Sequence, residues 1–263
     1  MGNSIVILKR NPNGDYFFSE KDFEEVDAVI NLAGESIFSL WTDKKKKKIK
    51  DSRIKTTRAL SIALNKLSQP PKCVINASAI GYYGNGRDKT FDENSQKGEG
   101  FLADVVEEWE QELQIQHIRT VFARFGVILS PDGGALKSML WQYKLGLGGY
   151  IGNGEQFMSW IAMEDAIGAI HHLLTHEEIA GSVNIVSPHP VRNSEFTKIL
   201  GKVLNKPTFL RMPEFLIRSV LGEMGEEVLL SSIRAVPKKL METGYPFLYP
   251  ELEKALTVLN TPH

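Results

Sequence analysis

This sequence of 263 residues has one cysteine, almost no net charge and no long apolar runs. Its one cysteine, Cys73, can form neither an internal disulfide nor a thiolate metal cluster, which favours a reducing cytoplasmic setting. The 31 basic residues nearly balance the 32 acidic ones, so a net charge of -1 provides no general attraction to nucleic acid or anionic membranes. No apolar run reaches the roughly 18 residues of a membrane span. These shortages predict a soluble cytoplasmic protein with no nucleic-acid or membrane partner.

Short β-branched runs are present instead, and they alternate with longer helical patterns. The runs are SIVILKR (4–10), DAVINLAG (27–34), KCVINASAIG (72–81), RTVFARFGVIL (119–129) and GSVNIVS (181–187). Because they are near-continuously apolar, they are typical of parallel strands covered by helices on both faces. The pattern predicts an α/β fold with a doubly wound parallel sheet over residues 1–187. Residues 188–263 hold two or three amphipathic helices and a loop, ETGYPFLYPELEKAL, and are predicted to form a small, mainly α-helical domain.

A lysine run at 44–48 begins the helical pattern between the second and third apolar runs. The pattern ends at Pro70-Pro71, and its apolar positions are Ile49, Ile54, Leu60, Ala63, Leu64 and Leu67. A lysine run suggests nucleic-acid binding, but no aromatic residues interleave with these lysines. The solvated start of a helix is the favoured interpretation.

Two predicted strand ends carry candidate site residues. In open α/β sheets, ligands bind outside the carboxyl ends of the strands. Gly34, which closes the run 27–34, lets the backbone turn close to a ligand, although an ordinary glycine turn explains it equally well. Ser78 and Tyr82 follow at the next strand end, where two hydroxyls can polarise a carbonyl or transfer a proton. Simple packing of Tyr82 against Tyr83 is the alternative.

Several longer segments, taken in order along the chain, are similar to a known family. They are AVINLAGE, SRIKTTRAL, ASAIGYYG, LSPDGGALKSML, KLGLGGYIGNGEQFMSWIAMEDAIGAI, SPHPVRNSEF and AVPKKLMETGYPF. Through these segments the chain resembles the epimerase family of atypical extended short-chain dehydrogenase/reductases, proteins like the NAD-dependent epimerase/dehydratases with a C-terminal DUF1731-type domain. The resemblance implies a Rossmann domain that binds NADP or NAD. It also implies a small-molecule substrate, with a nucleotide-linked sugar as one candidate.

The resemblance further predicts that the chain starts at the second strand of the family fold. Members begin with a strand, a G-x-x-G-x-x-G turn and a helix that together hold the dinucleotide pyrophosphate, and residues 4–10 resemble the strand that follows. The sequence contains no substitute for this fingerprint. We expect the sheet to have unpaired internal edges and to bind a dinucleotide poorly as a result.

Seven positions match cofactor-binding positions of the family. They are Lys9, Arg10, Leu32, Ala33, Gly34, Arg53 and Ile128. Arg10 resembles the arginine that binds the adenosine 2′-phosphate, for which a planar guanidinium is suited, with a surface arginine as the alternative. Arg53 resembles an arginine that reaches the cofactor, and a solvated helix face is its alternative.

The catalytic pattern departs from that of typical members. These carry Y-x-x-x-K, in which the lysine lowers the pKa of the tyrosine. Phe101 and Val105 stand at those positions, as in other atypical members. The resemblance carries over Ser78, and Tyr82 is the nearest phenol that can replace the missing acid. The sequence therefore predicts an NADP-dependent oxidoreductase or epimerase, or alternatively a non-catalytic NAD(P)-binding regulator or scaffold.

Other clusters of polar residues are better explained without chemistry. His171, His172 and His176 lack a carboxylate at ligand spacing, so no metal site is predicted. The acidic residues around Trp109, which are Glu107, Glu108, Glu110 and Glu112, are typical of a solvated helix face. Trp160 and Asp165 match a loop-to-helix entry of the family and are predicted to be architectural.

Overall fold

The computed structural model describes residues 9–10 and 15–259. Its strands are β1 (Lys9–Arg10), β2 (Tyr16–Phe17), β3 (Ala28–Asn31), β4 (Cys73–Ala79), β5 (Thr90–Phe91), β6 (Arg119–Phe125), β7 (Val127–Leu129), β8 (Gly149–Ile151), β9 (Phe157–Met158), β10 (Trp160–Ala162), β11 (Gly181–Ile185), β12 (Val191–Arg192), β13 (Leu210–Met212) and β14 (Arg234–Ala235). Its helices are α1 (Asp43–Leu64), α2 (Phe101–Gln111), α3 (Gly134–Lys144), α4 (Met163–Thr175), α5 (Asn193–Leu204), α6 (Glu214–Met224), α7 (Lys238–Glu242) and α8 (Leu252–Leu259).

A parallel four-stranded sheet with the order β11-β6-β4-β3 forms the centre of the fold. Alternate residues of β4 face opposite sides, because successive side chains of a strand do so. Ile75 packs in a buried cluster with Ala169 and Leu173 of α4, whereas Val74 packs with Leu60 and Leu64 of α1. Helices thus cover both faces, and the predicted α/β Rossmann-like parallel sheet is confirmed.

Strand β3 is an edge of this sheet. Its four residues pair with Cys73–Asn76, and within residues 9–10 and 15–259 no strand pairs with its other side. The side chain of Ile30 is accordingly 42% exposed. Most of the strand predicted at residues 4–10 lies outside the described residues. The backbone of its last two residues, Lys9 and Arg10, pairs antiparallel with β2.

The run 119–129 forms two strands where the sequence predicts one. Gly126 separates β6 from β7, which leaves the sheet and pairs with β10. The amide of Gly126 donates to the carbonyl of Ile185, and a Cβ on Gly126 would lie 2.6 Å from the carbonyl oxygen of Ser159. Glycine is therefore the residue that allows the chain to cross here.

The C-terminal unit is built together with part of the preceding chain. Strands β8 and β9 pair with β13 and β12 respectively, and a buried cluster joins Leu136 and Trp160 to Phe196, Leu200 and Leu256. Four α-helices follow residue 187 in the described part, whereas the sequence predicts two or three. The difference arises because the end of the predicted loop forms α8. The boundary at 187/188 stays a prediction.

The helix predicted after the lysine run is α1, and its predicted apolar positions are buried or partly buried. Thr42 caps its N-terminus by accepting a hydrogen bond from the amide of Lys45 at 3.2 Å. Among the described helices, none combines the length and the apolar character that crossing a membrane requires.

Candidate active site

The candidate site lies at the carboxyl edge of the parallel sheet. The turn Leu32–Gly34 follows β3, and Tyr82 lies in a short 3-10 turn, Ile80–Tyr83, that follows β4. Because β3 and β4 are parallel neighbours, these two ends meet at one edge. Ile128 lies in β7, where it is partly buried against the cluster between the sheet and α4.

Asn31 fixes the turn that leaves β3. Its side-chain amide donates to Asn76 Oδ1 at 2.6 Å, and its Oδ1 accepts the amide of Ala33 at 3.2 Å. The side chain of Leu32 is 66% exposed. The turn is therefore held from its buried side, and its outer side remains open to a ligand.

Arg53 supports the same turn from α1. A Cβ on Gly34 would lie 3.3 Å from the Arg53 guanidinium carbon, so the absence of a side chain lets the two come together. Arg53 Nη1 donates to the carbonyls of Glu35 at 3.0 Å and Ile49 at 3.1 Å. Burial lowers the pKa of Arg53, and the negative charge of Glu35 opposes that shift. Arg53 is thus half-buried under the turn rather than part of a solvated helix face, and its contact with a cofactor stays a prediction.

Ser78 is part of a buried ionic network. Its side chain is 4% exposed, and its hydroxyl donates to Glu110 Oε1 at 2.6 Å. Arg124 holds the same carboxylate with two hydrogen bonds, Nε to Oε1 at 2.8 Å and Nη2 to Oε2 at 2.7 Å. Burial alone would lower the pKa of Arg124, but the hydrogen bonds and charge of Glu110 outweigh it and raise that pKa. The prediction that Glu110 is solvated is wrong, because Arg124 draws it inside.

The two tyrosines after β4 have different environments. Tyr83 is 2% exposed, and its hydroxyl accepts from Arg124 Nη1 at 3.2 Å and donates to Asn184 Oδ1 at 2.8 Å. Burial raises the pKa of Tyr83. Tyr82 is half-buried, its ring centroid is 3.6 Å from the Arg124 guanidinium carbon, and within the described chain its hydroxyl has no hydrogen-bond partner. Tyr82 therefore offers the free phenol, whereas Tyr83 has a structural position.

The positions of the usual dyad lie at the start of α2. Val105 is buried, and Phe101 packs edge-on against Trp41 with a centroid distance of 5.1 Å. The amides of Phe101 and Leu102 donate to the two carboxylate oxygens of Glu227 at 2.7 and 2.8 Å. A residue of the C-terminal unit thus caps the helix that carries the dyad in typical members.

The lysine run is paired with carboxylates. Lys45, Lys46 and Lys47 form ion pairs with Glu35, Glu223 and Asp51. This neutralisation fits the solvated helix start that the sequence favoured.

Of the remaining sequence candidates, the histidines lie at the end of α4. His172 and His176 stack with centroids 3.6 Å apart, and His172 Nε2 forms a hydrogen bond with Thr243 Oγ1. No group of three side chains suited to a metal ion occurs in the part of the chain that the structure describes. The side chains of Lys9 and Arg10 lie outside the described part of the chain. Their predicted contacts with a cofactor lie outside it too.

Sequence reasoning missed four residues of this site: Asn31, Glu110, Arg124 and Glu227. A signal existed for Arg124, because an arginine inside an apolar strand needs buried hydrogen-bond acceptors, of which a carboxylate is one kind. No local signal identifies Glu227, which meets α2 from more than 100 positions away in the sequence.

Comparisons with known proteins show which family models and which relatives the chain is similar to. Residues 19–186 match the model described as NAD dependent epimerase/dehydratase family, and residues 212–259 match a domain of unknown function, DUF1731. An epimerase family protein of Mycobacterium leprae is 39% identical over 97% of this chain and 83% of its own length.

Two solved structures are also similar. The crystal structure of human epimerase family protein SDR39U1 with NADPH has a TM-score of 0.86 and 32% identity, covering 92% of this chain and 86% of that chain. A nucleoside-diphosphate sugar epimerase from Corynebacterium glutamicum has a TM-score of 0.73 and 28% identity, covering 94% of this chain and 50% of that chain.

Proposed function

Because the chain belongs to the NAD dependent epimerase/dehydratase family, we propose that it is an NADP-dependent oxidoreductase or nucleoside-diphosphate-sugar epimerase of the atypical short-chain type. One observation carries this proposal: the phenol of Tyr82, free of hydrogen bonds to the described protein, lies at the same sheet edge as the open turn Leu32–Gly34. The human relative, whose structure contains NADPH, supports the choice of cofactor, with NAD as the alternative.

The residues at the β3 turn fit a dinucleotide. Gly34 lets the Arg53 guanidinium pack against the turn, and the Nε and Nη2 groups of Arg53 have no acceptor within the described residues. Such free guanidinium donors suit a phosphate. Leu32, Ala33, Gly34 and Arg53 would hold the nucleotide, and Ile128 would lie near its nicotinamide end. Arg10 stays the proposed contact of the adenosine 2′-phosphate, and Lys9 stays a proposed cofactor-binding position.

The bound cofactor would supply the redox chemistry, as the hydride donor NADPH for a carbonyl carbon or as the hydride acceptor NADP+ for an alcohol carbon. In the direction of reduction, Tyr82 donates its proton to the carbonyl oxygen, whose O–H bond forms as the phenolic O–H bond breaks, and water restores the proton. In the reverse direction the phenolate accepts the proton. Ser78 is proposed as a second catalytic hydroxyl, and because it donates to Glu110 it must turn before it can donate to a substrate.

Titration with NADPH, followed by fluorescence and by melting temperature, tests cofactor binding. We expect Arg53→Gln to weaken NADPH binding about tenfold relative to the wild type, since a charge-assisted phosphate contact is removed. Arg58→Gln is the matched control, because Arg58 lies on the same helix but pairs with Glu112 at the surface. Equal affinities of Arg53→Gln and the wild type would contradict the proposed nucleotide site.

A second candidate function is a non-catalytic NAD(P)-binding regulator or scaffold. Phe101 and Val105 at the dyad positions favour it, since neither side chain can transfer a proton. Two assays with the wild type and Tyr82→Phe separate the two functions: oxidation of NADPH in the presence of aldehydes and ketones, and interconversion of UDP-sugars, which consumes no NADPH because the hydride returns to the sugar. Turnover that Tyr82→Phe lacks supports an enzyme, whereas tight NADPH binding without turnover supports the regulator.

A cytoplasmic localisation is proposed from the single cysteine, a buried free thiol.

A further inference from the structure

The Y-x-x-x-K lysine has no equivalent in this sequence, yet a cation does contact Tyr82. The Arg124 guanidinium carbon lies 3.6 Å from the Tyr82 ring centroid, which is van der Waals contact across the ring face. Arg124 reaches this place from β6, the strand next to β4, where it stands opposite Ser78 in the register. The charge therefore comes from the sheet and not from the helix that carries the usual lysine.

The orientation of this guanidinium is fully determined by its neighbours. Its Nε and Nη2 donate to Glu110, and its Nη1 donates to the hydroxyl of Tyr83. All three nitrogens are thus engaged within the guanidinium plane, which leaves a face of that plane for Tyr82. Such a rigid fork is a property of arginine that lysine does not share.

Glu110 is fixed as firmly as Arg124. Its Oε1 accepts from Ser78, and its Oε2 is 3.4 Å from the hydroxyl of Ser182. A buried ion pair of this kind is a weak source of stability, because apolar residues of similar volume would serve as well. Its position against the ring of Tyr82 therefore points to a role in orientation.

We propose that Arg124, clamped by Glu110, is the positioning residue for Tyr82 and supplies the fixed positive charge that stabilises the phenolic oxygen as its proton leaves. The inference rests on the proposed function, in which Tyr82 transfers that proton. The charge is in place before the reaction and needs no rearrangement when negative charge develops. Arg124 itself touches no substrate and acts through the tyrosine ring.

The test uses the full chain, with Arg124→Gln, Arg124→Lys and the double variant Arg124→Met/Glu110→Leu. The double variant removes both charges together and so leaves no unpaired buried carboxylate if Arg124→Gln fails to fold. Arg58→Gln is the matched control, because Arg58 also forms a two-bond pair with a glutamate, Glu112, but on α1 and exposed at the surface. Melting curves and NADPH titration establish that each variant is folded and binds the cofactor.

Two readouts distinguish positioning from a structural role. Ring resonances of Tyr82 in ¹³C-tyrosine-labelled protein, assigned with Tyr82→Phe, report its stacking on Arg124. We expect them to shift in all three Arg124 variants but not in Arg58→Gln. We also expect kcat for carbonyl reduction to fall about 100-fold in the double variant with KM nearly unchanged, as for an interaction made in the transition state, and to fall less in Arg124→Lys.

The proposal is overturned if the folded double variant keeps both the Tyr82 resonances and the kcat of the wild type. It is also overturned if Arg58→Gln lowers kcat as much as the double variant. Absence of turnover in the wild type would instead count against the proposed function, and the Tyr82 resonances would still decide whether Arg124 positions the ring.

Discussion

His172 shows how one buried side chain makes the stability of this fold depend on pH. Burial lowers its pKa, and the charges of His176 and His171 lower it further, while Glu178 opposes them. Between that lowered pKa and the ordinary value of about 6.5, the unfolded chain binds more protons than the folded one. The stabilisation is therefore complete above the ordinary value and is lost as the pH falls through the lowered pKa.

We expect His172→Gln to reduce this loss. The amide keeps a partner for Thr243 and cannot be protonated, so the melting temperature of the variant should fall less than that of the wild type between about pH 7.5 and about pH 5.5. The measurement is a series of thermal melts in matched buffers. His189→Gln is the control, since His189 is exposed. A pH dependence unchanged from that of the wild type in His172→Gln would show that His172 does not contribute.

At the scale of single residues, the sequence predicts which side chains lie near the site better than it predicts what each of them contacts. Gly34 and Arg53 were expected at one cofactor site, and the structure brings them into contact. Ser78, whose catalytic role stays a prediction, donates to Glu110, and Glu110 is the residue that was wrongly expected in solvent. The error arises because the pairing depends on β6 lying beside β4, a contact between positions far apart in the sequence.

Helix α2 shows how a single element depends on a distant one. Its N-cap is Gly100, which has no side chain to accept from the first amides, and the carboxylate of Glu227 does so instead. This negative charge also complements the positive end of the helix dipole. The start of α2 is thus fixed only when the C-terminal unit is in place.

We expect Glu227→Ala to lower the free energy of unfolding by about 1–2 kcal/mol, the usual cost of a lost N-cap, and to accelerate amide exchange at Phe101 and Leu102. Hydrogen exchange with peptide resolution and urea unfolding measure the two effects. Glu226→Gln is the control, because the neighbouring carboxylate pairs with Arg218 instead. Unchanged exchange at Phe101 and Leu102 in Glu227→Ala would refute this capping role.

The sequence predicts the helices and strands that a local pattern of apolar residues determines. The apolar runs give β4, β6 and β11 with their buried faces, and the lysine-led pattern gives α1. The division of the run 119–129 at Gly126 was not foreseen, because the close approach of Ser159 that requires glycine comes from a later loop. The extra helix α8 was missed for a similar reason, since Leu252 and Leu256 become an apolar face only against α5.

At the scale of the whole molecule, the C-terminal unit and the sheet share their cores. The buried carboxylate of Asp165, at the start of α4, accepts the amides of Leu248 and Tyr249 at 2.7 and 2.9 Å. The indole of Trp160 donates to the carbonyl of His189 at 3.0 Å. All three hydrogen bonds cross the predicted boundary at 187/188, as do the strand pairs β8–β13 and β9–β12.

We therefore expect a fragment that ends at residue 187 not to fold cooperatively. Trp160 and Leu136 would lose Phe196, Leu200 and Leu256 from their buried cluster, and the carboxylate of Asp165 would be left without its backbone donors. The fragment should keep far-ultraviolet circular dichroism, lose the near-ultraviolet signal of its tryptophans and bind a hydrophobic dye, as a loosely packed state does. The intact chain is the control and should melt in one transition. A fragment that melts cooperatively with native near-ultraviolet dichroism would instead establish residues 1–187 as an autonomous domain, in which case the contacts across the boundary only dock one folded unit onto another.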